Sequence, residues 1–144
     1  ERGAILERGA ARLPEQLAVD PGKQAGAVSL HKAVVALAAE NRLLAAPASV
    51  QAFDTSTGQE DLQAFEFLAA DKLSRALDNL ELVFACELVA LRQGFHLRGE
   101  PPPQPRLAQL LEKLETEVEP IVVDRTLTGD VERVRELVRA GALT

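Results

Sequence analysis

Between residues 73 and 91, apolar side chains recur at Leu73, Leu77, Leu80, Phe84, Leu88 and Leu91, always three or four positions apart. That spacing puts one side chain per turn on a single face of an α-helix. Beyond Leu80 the stripe widens through Leu82, Val83, Cys86 and Val89, with Glu81 and Glu87 as interruptions. A helix apolar nearly all round is buried nearly all round. The pattern predicts one rod from Asp61 to Arg92, about 48 Å long at ~1.5 Å per residue. A compact chain of 144 residues has a diameter of only roughly 37 Å. The helix is too long and too apolar for the chain that carries it. Other protein is expected to cover a face such as Leu80, Val83, Phe84, Leu88 and Leu91.

The remaining pattern is also helical. Leu6, Ala10 and Leu13 share a face, weakened by Gly3 and Gly9 and stopped by Pro14. Asp20-Pro21-Gly22 signals a turn. A second helix is expected from Ala25 to Ala45, with Leu30, Val34, Leu37 and Leu44 as its stripe and Pro47 closing it. Residues 48–58 have no period, and loops of this kind carry function more often than cores do. The long helix is expected to end near Gly94, before a stiff linker at Pro101, Pro102, Pro103 and Pro105. Leu107, Leu110, Leu111, Leu114 and Val118 mark a further helix, and Val131, Val134, Leu137 and Val138 the last, with Gly141 as its αL cap. The fold class is all-α, a long-helix bundle. Residues 1–97 are read as bundle helices with a functional turn at 48–61, and residues 98–144 as a C-terminal helical extension.

Composition narrows the setting. The net charge of −6 and the lack of any Lys/Arg cluster argue against nucleic acid and against an anionic membrane surface. No apolar run approaches the roughly 20 residues that span a bilayer. The single Cys86 has no internal partner, so a reducing cytoplasm is the expected location, and its place in the stripe marks it as a small buried hydrophobe. The sequence has no Met and opens on Glu-Arg-Gly. It reads as a piece of something longer.

Few residues offer chemistry. Val28 stands three before His31, and Gln93 three before His96, so no Glu-x-x-His di-iron signature exists. No Cys/His cluster or Gly-rich phosphate loop is present, and no metal is expected. Ser29-Leu30-His31-Lys32 matches S-x-x-K, but no S-D-N or K-T-G follows. The exception is the turn Thr55-Ser56-Thr57-Gly58-Gln59-Glu60-Asp61. Thr57 and Glu60 have capping-box spacing, in which Glu60 reaches back to the backbone of Thr57. Spacing alone leaves capping and chemistry both open.

Pro47-Ala48-Ser49-Val50, Thr55-Ser56 and Gln59-Glu60-Asp61 resemble the P-A-S-V … T-S-x-x-Q-E-D segment of histidine ammonia-lyase and its aromatic amino-acid relatives. Glu40-Asn41-Arg42 resembles the family's E-N-K, and Pro21-Gly22 with Gly26 its P-G-x-x-x-G. Leu77-Asp78-Asn79-Leu80 through Glu87-Leu88 resembles L-E-N-V … I-E-L-L, and Leu97-Arg98-Gly99 the end of that helix. Asp124-Arg125 and the closing Val138-Arg139-Ala140-Gly141 resemble the family's last helix. Two departures adjoin the turn. Gly58 replaces the usual Asn, and Leu62-Gln63-Ala64-Phe65-Glu66 replaces H-V-S-M-G.

The resemblance implies a tetramer whose long helices form a central bundle, with each active site drawing on three subunits. It implies catalysis by a methylidene-imidazolone electrophile, cyclised from an internal Ala-Ser-Gly that this chain lacks. In the family the substrate adds to this group, a base removes a β-proton, and ammonia leaves. The chain would then be the C-terminal segment of an ammonia-lyase acting on histidine or a related aromatic amino acid, inactive alone and completed by a missing N-terminal part or subunit. Glu60 matches the glutamate facing the substrate in histidine-specific members, and Gln59 its neighbour. An aminomutase of the same family, or a non-catalytic helical scaffold derived from it, is the alternative.

Overall fold

The computed structural model describes residues 13–100, 102 and 104–143. The helix expected over residues 1–13 lies outside them except for Leu13, and the Pro101 and Pro103 part of the expected linker also lies outside. Among the described residues the regular elements are helices: α1 (Val28–Leu44), α2 (Glu66–Arg98), α3 (Pro105–Glu117) and α4 (Thr128–Arg139). Short 3-10 turns stand at Glu15–Leu17, Ala48–Gln51 and Ser56–Gly58. No described helix is long and apolar enough to cross a membrane. The chain divides into two compact units, at 35/36 within α1 and at 80/81 within α2.

The first unit holds the core. Leu30, Ala85, Cys86, Val89, Leu111, Leu114 and Val134 come from its helical segments, and Leu17, Val118, Ile121 and Leu127 from the connections. Burial, and then the charge of Glu87, pushes the Cys86 thiol up. Cys86 therefore acts as a small apolar group. Gln93, 1% exposed, ties the connections together. Its amide donates to the carbonyls of Leu17 and Ile121 (both 3.1 Å) and accepts from the Ile121 N–H (2.8 Å). The motif residues at both ends of the sequence meet in this unit. Asp124 accepts from the backbone N–H groups of Ala25 (2.8 Å) and Gly26 (3.0 Å), just ahead of α1, where a carboxylate complements the helix dipole. Gly26 has φ +53°, and a Cβ there would stand 2.5 Å from the Gln16 carbonyl oxygen. Only glycine fits. The buried Asp130 opens α4 and is held by Arg125 and Arg133.

The second unit, residues 36–80, comprises the end of α1, a long connection and the start of α2. Its only buried residues are Ala48 and Asn79. Polar bonds fix its helices instead. Arg75 donates to the Glu40 carboxylate at 2.7 Å, Asn79 Nδ2 to Asn41 Oδ1 at 3.0 Å, and Asn41 Nδ2 to the Ala76 carbonyl at 3.3 Å. Lys72 Nζ donates to the Ala46 carbonyl, which pins the start of the connection.

The long helix is shifted relative to its expected span. It begins at Glu66 rather than Asp61, because residues 60–63 pair with 53–55: Thr55 bridges Glu60, and Gln63 N–H donates to the Phe53 carbonyl at 3.2 Å. It passes through Gly94, which is buried, and runs on to Arg98. Packing there outweighs glycine's poor helix propensity of about 1 kcal/mol. Gly99, at φ +67° with its N–H on the Phe95 carbonyl, stops the helix. The stripe also divides. Val83 is buried and Leu88 and Leu91 are half-buried in the core, whereas Leu73, Leu77, Leu80 and Phe84 stay exposed. The last helix ends as its sequence indicates, on Gly141 at φ +64°.

Candidate active-site turn

The connection from 45 to 65 carries the sequence motif and has a definite local geometry. Pro47 and Ala52, both in extended backbone, flank the Ala48–Gln51 turn, and Ala48 is buried. Residues 53–63 then form a small closed loop. Its mouth is the Gln63–Phe53 hydrogen bond, and its inner rung is the isolated antiparallel bridge between Thr55 and Glu60. At the tip, Gly58 N–H donates to the Thr55 carbonyl (3.1 Å) and Gln59 N–H to that of Ser56 (3.2 Å).

The reversal is made by three consecutive left-handed residues, Ser56 at φ +56°, Thr57 at +57° and Gly58 at +79°. Non-glycine residues there cost about 1–2 kcal/mol each. This gives the Gly58 departure a physical reading. Asparagine and glycine are the residue types that tolerate this region, so the backbone accepts either. A Cβ at Gly58 would meet Asp54 Oδ2 at an ordinary 3.6 Å. Phe65, with φ +55° immediately before α2, has no such excuse for its conformation.

The capping box does not form. α2 starts at Glu66, the Thr57 hydroxyl donates to the Ser56 carbonyl (2.6 Å), and the Glu60 carboxylate accepts from the Thr55 hydroxyl (3.1 Å). Both candidate residues, Gln59 and Glu60, are exposed, side by side after the tip. A carboxylate presented this way keeps lone pairs free to accept from a ligand N–H or to take up a proton. The other half of the motif is structural. Asn41 and Asn79, from the E-N-R and L-D-N-L segments, bond to each other, and Glu40 is paired with Arg75. Arg75's hydrogen bond, followed by the Asn79 amide, holds the Glu40 carboxyl below the usual carboxylate range. Sequence reading missed Thr55 as the partner of Glu60, because their pairing depends on the left-handed run at 56–58, which no residue pattern marks. His31 is half-buried and His96 exposed, and neither belongs to this turn.

The regular elements among the described residues are helices, which makes the fold all-α, and comparison with known proteins gives the chain a family. The family model described as aromatic amino acid lyase matches residues 2–118. The chain belongs to the aromatic amino acid lyase family. It is 37% identical over 150 aligned residues to a histidine ammonia-lyase of Aromatoleum aromaticum, covering 99% of this chain and 28% of that protein. It is 36% identical to one from Burkholderia vietnamiensis, covering 96% and 29%. Its structure matches the crystal structure of histidine ammonia-lyase from Trypanosoma cruzi with a TM-score of 0.90 at 27% identity, over 98% of this chain and 28% of the other. A tyrosine aminomutase with bound ligand matches at 0.88 and 28% identity, over 98% and 27%. The chain thus spans less than a third of the length of the relatives it matches.

Proposed function

We propose that this chain is the C-terminal segment of an ammonia-lyase that eliminates ammonia from histidine or a related aromatic amino acid. In this reading Glu60 is the carboxylate that faces the substrate and Gln59 is its neighbour. The observation that carries it is the placement of Glu60, exposed after a strained turn, oriented by Thr55 and engaged in no helix cap. Relatives at 36–37% identity with the name histidine ammonia-lyase support the reaction class. They favour a catalytic part over a scaffold.

The methylidene-imidazolone group of a complete enzyme would supply the electrophile. The chain has no Ala-Ser-Gly from which to form it, and the turn holds no residue suited to carry it. What the turn contributes is its own. Glu60 accepts a hydrogen bond from the substrate or takes up a proton, and the Gln59 amide supplies one donor–acceptor pair beside it. The turn is open to solvent here, so water exclusion falls to the missing part of the protein. The exposed apolar face of residues 36–80 supports association with other protein, and the proposed assembly is a tetramer in the cytoplasm.

A mutase reading is kept in view by the equally close match to a tyrosine aminomutase. The test is Glu60→Gln in a complete enzyme carrying this segment, assayed for ammonia and for β-amino acid products with histidine, phenylalanine and tyrosine. Near-normal melting with turnover down by about 10²-fold or more is expected, the scale of a lost acid–base group. Unchanged turnover on every substrate overturns the role of Glu60. A β-amino acid product in place of ammonia replaces lyase by mutase.

A further inference from the structure

We propose that Thr55 is a positioning residue, which holds the Glu60 carboxylate in the orientation it needs to meet the substrate; this rests on the role proposed for Glu60. Thr55 Oγ1 donates to Glu60 Oε2 at 3.1 Å. The two residues also face each other across an antiparallel bridge, an arrangement that puts directly opposed side chains on the same face of the pair. The backbone pairing therefore brings the two side chains within reach of each other.

A glutamate on an exposed turn has three side-chain torsions and many accessible orientations. Thr55 reduces them. Its backbone is extended (φ −130°, ψ 175°), and its β-branch restricts χ1, so the hydroxyl stands in a fixed place. The Gly58 N–H on the Thr55 carbonyl and the left-handed run 56–58 keep the turn tight, which fixes the distance from Thr55 to Glu60. Engaging Oε2 leaves the second carboxylate oxygen for the substrate, since an ionised carboxylate accepts at two oxygens. Thr55 touches no reacting atom in this account. It acts through Glu60.

The experiment uses a complete enzyme carrying this segment, with melting, kcat and KM measured for each variant. Thr55→Val removes the hydroxyl and keeps the shape and strand preference, and Thr55→Ala serves as a second variant should Val disturb folding. Thr55→Ser keeps the hydroxyl. Thr55→Val is expected to lower kcat about tenfold with unchanged melting, within the range that small misplacements of a reacting group produce. Thr55→Ser is expected to stay within about twofold of the parent, since the donor is retained. In a Glu60→Ala background, adding Thr55→Val is expected to cost nothing further, because no carboxylate is left to orient. Normal turnover for Thr55→Val alongside a crippled Glu60→Gln overturns the positioning role and leaves Glu60 standing. Normal turnover for Glu60→Gln overturns the Glu60 reading itself. A further loss from Thr55→Val in the Glu60→Ala background also overturns the proposal, since Thr55 would then act independently.

Discussion

Asn79 donates its side-chain amide to the side-chain oxygen of Asn41 at 3.0 Å, joining α1 to α2 across 38 positions of sequence. Asn41 in turn donates to the Ala76 carbonyl one turn earlier on α2. Asn79 is one of only two buried residues in the second unit, so this pair does there what apolar packing does elsewhere. It fixes the register of the helices that flank the turn.

Removing either asparagine takes away this half-buried side-chain hydrogen bond, a loss of about 0.5–1.5 kcal/mol. Asn79→Ala and Asn41→Ala are each expected to lower stability by that amount. The double variant should cost less than their sum, because the second change removes a group already orphaned. Thermal melting of the three variants measures this. Strict additivity would mean the contact contributes nothing.

The ion pair beside these asparagines gives a pH signature. Arg75, and then Asn79, hold the Glu40 carboxyl below its ordinary value of 4.5. A carboxylate depressed in the folded state stabilises above its unfolded value, and that stability is lost as pH falls through the lowered one. The pair is exposed, so the effect is small. Melting of the parent and of Arg75→Gln should therefore differ by a constant amount near neutrality, and the difference should shrink on acidification below about pH 4.5. A gap that persists in acid would assign the stabilisation to packing by the arginine stem instead.

Much of this architecture is legible in the residues themselves. The three-and-four spacing from Leu107 to Leu114 and from Val131 to Val138 marks α3 and α4, and Gly141 marks the last stop. These are amphipathic helices whose local pattern and tertiary burial agree. The ends of α2 are not legible in the same way. Asp61 to Ala64 have helix-compatible side chains, but a long-range rung between Gln63 and Phe53 and a bridge between Thr55 and Glu60 claim the backbone. At the other end Gly94 looks like a stop by propensity, and burial overrides it. For the candidate site, Gln59-Glu60 stands out in the sequence as a motif and its proposed role is still to be tested, whereas the hydrogen bond from Thr55 to Glu60 depends on a turn hand that only three positive φ angles reveal.

The second unit leaves many apolar side chains in water, and this predicts how the isolated 144-residue chain behaves. Within it Leu73, Leu77 and Leu80 are 60%, 52% and 42% exposed, and Phe67 is 93% exposed. Fully burying such a side chain is favourable by about 1.5–3 kcal/mol, so the half still outside gives roughly 1 kcal/mol per leucine and about 2 for Phe67. The sum, about 5 kcal/mol, only reaches the lower end of the roughly 4–15 kcal/mol that association costs. Leu43, Phe53 and Leu62, each about two-thirds exposed or more, would bring the total to about 10 kcal/mol if the same surface covered them. Association through this unit is therefore expected, and expected to need most of these side chains at once. Sedimentation velocity at tens of micromolar should show oligomers or a broad distribution. Replacing Leu73 and Leu77 together by Glu should shift it towards smaller species, since two charges cannot be buried without partners. A parent chain that sediments as a compact monomer throughout would show that these apolar side chains need no partner.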